Sequence, residues 1–193
     1  MIERCKQHDV HVFICSAAIT NEDPERAEKG FLHQMCDEGL ALAKSLDADT
    51  IDIQRSMRAV QQRVLAANKS QKDAAKQTKL HVEDGVHLND LGQLAMAVAI
   101  LKGLGAPAEV SAAVVDAAEG KVETASGCKV SGVKSGGDGI EFDRLDEGLP
   151  LNFGTFGALN FRFIPIPEEL NRYMLTVRGL EAGKYDLRAG GRV

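Results

Sequence analysis

Apolar and polar positions along the first 120 residues switch between two periods. VHVFICSAAIT (10–20) is a β-branched and aromatic run that reads as a buried strand. The preceding IERCKQHD resembles the end of a helix and a turn. A buried central strand this early leads us to expect further sequence upstream. Asp23 followed by Pro24 signals a helix start, a capping carboxylate before a proline at the first helical position. Leu32, Cys36, Gly39, Ala43 and Leu46 then recur on one predicted helix face. TIDIQRS (50–56) reads as a second strand, and MRAVQQRVLAAN as a helix with Met57, Val60, Val64 and Leu65 on one side. The lysine-rich KSQKDAAKQTK (69–79) reads as a solvated helix end or loop. Asp90 with Gln93 makes a capping-box-like start for a helix whose stripe is Leu91, Leu94, Ala95, Val98 and Leu101. Gly103 and Gly105 stop it, and Pro107 is expected to open a short helix over 107–118. Strand–helix–strand–helix at these lengths predicts parallel α/β layering.

Past Gly120 the composition changes to Gly and Ser with short apolar pieces. FRFIPIP, RYMLTVRGL and GKYDLRAGG read as strands, and GGRV as a turn into a further strand. Phe153, Phe156, Phe161 and Phe163 are assigned to the apolar face of this β-rich part. The expected division is therefore 1–120, an α/β domain, and 121–193, a β-rich extension or insert. Its glycines read as turn residues, because neither G-x-G-x-x-G nor G-x-x-x-x-G-K-[ST] occurs.

Composition changes this picture little. The 193 residues are 44% hydrophobic and 26% charged, with a formal net charge of −5. A mildly acidic chain argues against a nucleic acid or an anionic bilayer as main partner. No apolar run reaches the ~18 residues of a membrane span, and no signal peptide is visible at the N-terminus. Cys5, Cys15, Cys36 and Cys128 show no C-x-x-C spacing, and Cys15 and Cys36 read as buried free thiols. The compartment stays open.

HVEDGVHLNDLGQLAMAVAILKGLG (81–105) carries the candidate chemistry. A histidine serves as a general base near neutral pH once a carboxylate accepts its Nδ1–H and fixes the tautomer. Asp84 and His87 in a tight turn can face the same way, with Gly85 permitting the sharp backbone. Two other readings stand beside this one. The pair can be a loop contact holding a helix start, or His81, Glu83, Asp84 and His87 can offer metal ligands. His8, His11 and His33 are assigned structural roles, and Asn89 a helix-entry role.

DGVHLNDLGQLAMA resembles the last motif block of SGNH (GDSL-type) hydrolases, an Asp-x-x-His, a short polar turn and a small-residue helix. The upstream strand–helix order is similar to the second half of that fold. IPEELNRYMLTVRGLEAGKYDL looks like the β insert or extension of SGNH-type proteins from bacteria such as planctomycetes. The resemblance implies a partial flavodoxin-like three-layer α/β/α sandwich with a small β-rich C-terminal extension. It implies His87 as general base and Asp84 as its orienting carboxylate, acting on a carboxylic or carbohydrate ester, with no cofactor and no metal. The family's Gly-Asp-Ser and Gly-x-Asn-Asp motifs are absent here, and Ser16 follows the wrong strand for the nucleophile. The serine is thus expected before Met1. Because loss of a triad serine costs on the order of 10⁶ in turnover, this chain alone is expected to be inactive. An unpaired apolar sheet edge would also invite self-association. The rival reading is a non-catalytic binding or assembly module using residues 150–193.

Overall fold

The computed structural model describes residues 1–137 and 139–190, apart from the side chain of Phe156. The last three residues of GGRV, expected to lead into a further strand, lie outside the described residues. The fold is mixed α/β, in two compact units, Met1–Pro107 with Asn152–Ile166, and Ala108–Leu151 with Pro167–Val193. No helix among the described residues is long and apolar enough to cross a membrane.

The first unit runs α1 (Ile2–Lys6), β1 (Phe13–Cys15), α2 (Pro24–Ala27), α3 (Phe31–Ser45), β2 (Asp49–Ile51), α4 (Ile53–Asn68) and α5 (Asp90–Gly103), and later α6 (Gly154–Ala158). β1 pairs parallel with β2, Phe13 opposite Asp49 and Cys15 opposite Ile51. α3 makes the crossover that a parallel pair requires. α2 starts as expected, with Asp23 Oδ1 accepting from the N–H groups of Glu25 (3.0 Å) and Arg26 (3.3 Å). Ile51, Ile53, Met57, Val60, Val64, Leu80, Leu91, Ala95 and Val98 are buried and form the core, with Ile19 beside them. α5 lies close against β2, where a Cβ on Gly103 would stand 2.5 Å from the Ile51 side chain.

Several expected elements shift. β1 is short and its alternate residues face out, so Cys15 is exposed rather than buried, while Cys36 is buried as expected. TIDIQRS splits, because the Asp52 side chain accepts from Arg55 N (3.0 Å) and opens α4 at Ile53. Along α3 the buried face is Cys36, Leu40 and Ala43; Leu46 is exposed and Gly39 sits in open space. Leu65 and Leu101 also face outward, and Ala99 takes the place in the core expected of Leu101. The helix errors are of phase, roughly 100° per residue.

The second unit contains β3 (Glu109–Asp116), β4 (Lys121–Ser126), β5 (Cys128–Gly136), β6 (Gly139–Asp146) and β7 (Arg172–Arg178). β3 is the centre of a three-stranded sheet, antiparallel to β4 and parallel to β7, and β5 and β6 form an antiparallel hairpin. The helix expected over 107–118 is therefore a strand. EVSAAVVD buries Ser111, Ala113 and Val115 alternately, and that period of two outweighs the helix-start signal of Pro107. Arg144 binds the strands together, donating to Asp146 Oδ1 (2.9 Å), Ser111 Oγ (2.7 Å) and Met174 O (2.9 Å). RYMLTVR is β7, but FRFIPIP is a 3-10 turn, Leu159–Arg162, followed by α7 (Ile166–Glu169), because Pro165 and Pro167 withhold ladder donors. GKYDLRA lies outside any named strand. Phe153, Phe161 and Phe163 belong to the first unit, not to a β face; Phe163 is buried and the other two rings meet edge to face at 6.0 Å.

Candidate active site

The Asp84–His87 turn is closed at its base by two backbone hydrogen bonds. Val82 N donates to His87 O (2.9 Å) and Asn89 N to Leu80 O (3.0 Å). His81 and Leu88 form an antiparallel bridge between them. Gly85 sits at the tip with φ +70°, in the left-handed region that a side chain disfavours. Asn89, not Asp90, is the helix cap: its Oδ1 accepts from Gly92 N (3.1 Å), as its helix-entry assignment requires. Its side-chain N–H₂ donates to Lys79 O (2.8 Å), tying the helix start to the chain that enters the turn.

The two predicted site residues meet. Asp84 Oδ2 lies 2.6 Å from His87 Nδ1, while Asp84 Oδ1 accepts from the N–H groups of Val86 (2.8 Å) and His87 (2.9 Å). The His87 ring N–H, reinforced by those two backbone donors, holds the Asp84 carboxyl down at about 2. An ionised carboxylate only accepts, so Nδ1 carries the ring proton and Nε2 presents the lone pair. The His87 side chain is 82% exposed, and Nε2 has no hydrogen-bond partner among the described residues.

Short His–Asp contacts are not special to this turn. His11 Nε2 lies 2.7 Å from Asp49 Oδ2, beside the starts of β1 and β2. Position separates the two pairs. Gly85 O accepts from Asn21 N (2.8 Å), on the segment that leaves the carboxyl end of β1. Loops at that end of a parallel sheet carry chemistry; the opposite end does not.

Other candidates are engaged elsewhere. His81 is 3% exposed and its Nε2–H donates to Ile19 O (2.9 Å), so its ring is turned inward instead of joining the Asp84–His87 pair. Among the described residues no three His, Cys, Asp or Glu side chains are grouped to hold a metal ion. Ser16 is buried; its Oγ accepts from Gln54 N (2.9 Å) and donates to Asp52 Oδ1 (3.3 Å). Burial opposes ionisation of Asp52, but hydrogen bonds from Arg55 and Ser16 outweigh it and hold that carboxyl low. Two open depressions of about 400 and 420 Å³ lie along α3 and α4, and neither is lined by Asp84 or His87. Their Arg55 is already neutralised by Asp37 (2.7 Å) and Asp52 (2.6 Å). The turn differs from both depressions in presenting an exposed imidazole nitrogen with no hydrogen-bond partner among the described residues.

Sequence reasoning missed the parts played by Asn21, Arg58 and the His81 ring. Their contacts join residues about 40 to 60 positions apart, as in the 62-residue separation of His81 and Ile19. Local spacing carries no trace of such contacts.

No family model matches the chain, and no curated protein matches it. Among solved structures it is similar to a gut microbial diltiazem-metabolizing enzyme, with 21% identity and a TM-score of 0.66 over 92% of this chain. The match takes in 43% of that enzyme, so the chain spans less than half the length of the structure it resembles. At this identity the likeness shows a shared mixed α/β fold.

Proposed function

We propose that this chain supplies the acid–base half of an ester hydrolase of the SGNH (GDSL) type, on part of its three-layer α/β/α sandwich. One observation carries the reading: Asp84 fixes His87 through Nδ1 at 2.6 Å while Nε2 faces outward without a described partner. In such a triad Nε2 takes the proton of a serine as it attacks the ester carbonyl, and Asp84 stabilises the imidazolium. Nε2 later returns the proton to the leaving alcohol, and water activated by the same ring releases the acyl group. The reading takes the serine from a segment outside these 193 residues, because no Gly-Asp-Ser occurs in them and Ser16 is committed to the start of α4. A small-molecule or carbohydrate ester is the substrate class; the neighbour named for metabolizing diltiazem supports the small-molecule choice.

The surface for that segment is the open side of β1 and the outer face of α3. β1 has β2 as its one strand partner among the described residues, with Val10, Phe13 and Cys15 exposed. α3 turns outward a second apolar stripe, Phe31, Met35 and Leu42, with the exposed Leu46 just past its end, roughly a third of a turn round from its buried face. The occupant is the remainder of the same α/β fold, as the partial coverage of the neighbour supports. When it is absent, the same patch drives self-association.

The test is p-nitrophenyl acetate turnover by a protein joining this chain to a Gly-Asp-Ser-bearing segment, with His87→Ala beside it. Loss on the order of 10⁴ or more is expected. Equal rates would remove His87 from the mechanism.

A further inference from the structure

We propose that His81 and Arg58 are positioning residues for the Asp84–His87 pair, acting through the segment Ile19–Glu22. The inference rests on the hydrolase reading of that pair and adds two residues to it.

Four successive residues are held from three sides. The His81 ring donates to Ile19 O at 2.9 Å. Arg58 Nη1 reaches Thr20 O and Glu22 O, both at 3.4 Å, and is itself fixed by Gln61 Oε1 at 2.7 Å. Gln61, also buried, donates to Glu22 O at 3.2 Å. Between these anchors, Asn21 N donates to Gly85 O at the tip of the catalytic turn. The strap therefore begins on α4, crosses the segment leaving β1 and ends on the residue next to Asp84.

His81 is anchored to the turn twice. Its backbone forms the bridge with Leu88 at the base, and its ring grips the segment that steadies the tip. The ring's contribution is that donor. Its Nδ1 is buried without a partner, which costs about 1–3 kcal/mol, and an apolar side chain filling the same space would avoid that cost. Arg58 makes the same kind of contribution. Burial lowers its affinity for a proton, and its recorded bonds go to main-chain carbonyls and an amide rather than to a carboxylate. The Asp84–His87 contact at 2.6 Å tolerates little displacement, because hydrogen bonds weaken steeply beyond ordinary length and angle. A tip free to move would break that contact before it unfolded the unit.

The experiment uses the chain as it is. The Asp84 carboxyl is titrated by carbon NMR, and the Asn21 amide is followed by hydrogen exchange. The variants are Arg58→Met, which keeps the stem and removes the donors, His81→Leu, and the conservative His81→Gln. In the parent the Asp84 midpoint stands at about 2. We expect Arg58→Met and His81→Leu to raise it by about one unit, a tenfold change in proton affinity, and to speed Asn21 exchange about tenfold. His81→Gln, whose amide can reach Ile19 O, restores both. If the folded variants lose thermal stability while the Asp84 midpoint stays put, the two residues are merely structural and the proposal is overturned. Should His81→Leu fail to fold, Arg58→Met, at a half-buried position, decides alone. Failure of the hydrolase reading shows separately, as unchanged ester turnover in His87→Ala.

Discussion

Gly92 links helix packing to the Asp84–His87 turn, and replacing it tests both. It is the third residue of α5, and an ideal Cβ there would stand 2.1 Å from Leu80 O and 3.0 Å from Leu88 Cδ2. Ordinary contact begins near 3.4 Å, so Gly92→Ala forces the Leu80 carbonyl away by more than 1 Å. That carbonyl is backbone, buried with Leu80, and it accepts the Asn89 N–H at 3.0 Å. Overpacking costs about 3 kcal/mol and the weakened hydrogen bond about 1 kcal/mol, offset by a gain of about 1 kcal/mol in helix propensity. The net is a loss of about 3 kcal/mol, or a fall in Tm of roughly 10 °C for a chain of this size. Gly39→Ala is the control, the same change in the middle of α3 where a Cβ meets nothing within 4 Å. It is expected to stabilise by about 0.5–1 kcal/mol. Urea and thermal melts followed by circular dichroism read both. If Gly92→Ala melts within about 1 °C of the parent, the close approach of α5 to residue 80, and with it the geometry of the turn's base, is wrong.

Other outcomes can be checked alongside. The Asp84 carboxyl is held at about 2, below its ordinary 3.8, so its contribution to stability is present above pH 4 and is lost as pH falls from about 4 to 2. Asp84→Asn should flatten the stability–pH curve in that window, as read by urea titration at fixed pH; an unchanged slope would count against the ion pair. Ser16→Ala removes the acceptor for Gln54 N and should cost about 1–2 kcal/mol in a denaturant melt, yet leave the Asp84 midpoint in place. A shift of that midpoint would mean Ser16 is coupled to the pair. Leu42→Glu on the outer stripe of α3, where Leu42 is 61% exposed, should reduce self-association in sedimentation velocity without lowering Tm. Unaltered association would place the contact elsewhere.

The Asp84–His87 turn was legible in the sequence because its determinants are local. Asp84 and His87 lie three residues apart, and Gly85 supplies the left-handed φ between them. Asp23 and Pro24 gave the start of α2 for the same reason. What was illegible depended on long range. EVSAAVVD follows a proline that opens helices, but its partners β4 and β7 lie up to 63 residues downstream and decide for a strand. The outward stripe of α3 was misread because a helix apolar on two faces gives no sequence signal for which one meets the sheet.

The two shortest His–Asp contacts among the described residues show what must be added to distance before chemistry is assigned. His11–Asp49 and His87–Asp84 differ by 0.1 Å in length, and both are substantially exposed. They differ in how the carboxylate is held. Asp84 accepts two backbone N–H groups through the oxygen that His87 does not use, so the turn's own backbone helps to orient it. His11 and Asp49 come from residues 38 apart, joined through neighbouring strand starts. They also differ in which ring nitrogen is spent. Asp84 takes Nδ1 and leaves the distal Nε2 outward, whereas Asp49 takes Nε2 and leaves Nδ1 beside its own backbone. A general base must present its lone pair beyond the side chain, where an alcohol can approach. Of these two pairs the one at the turn does so, and it lies toward the carboxyl end of β1, the end at which parallel α/β sheets in general bind ligands.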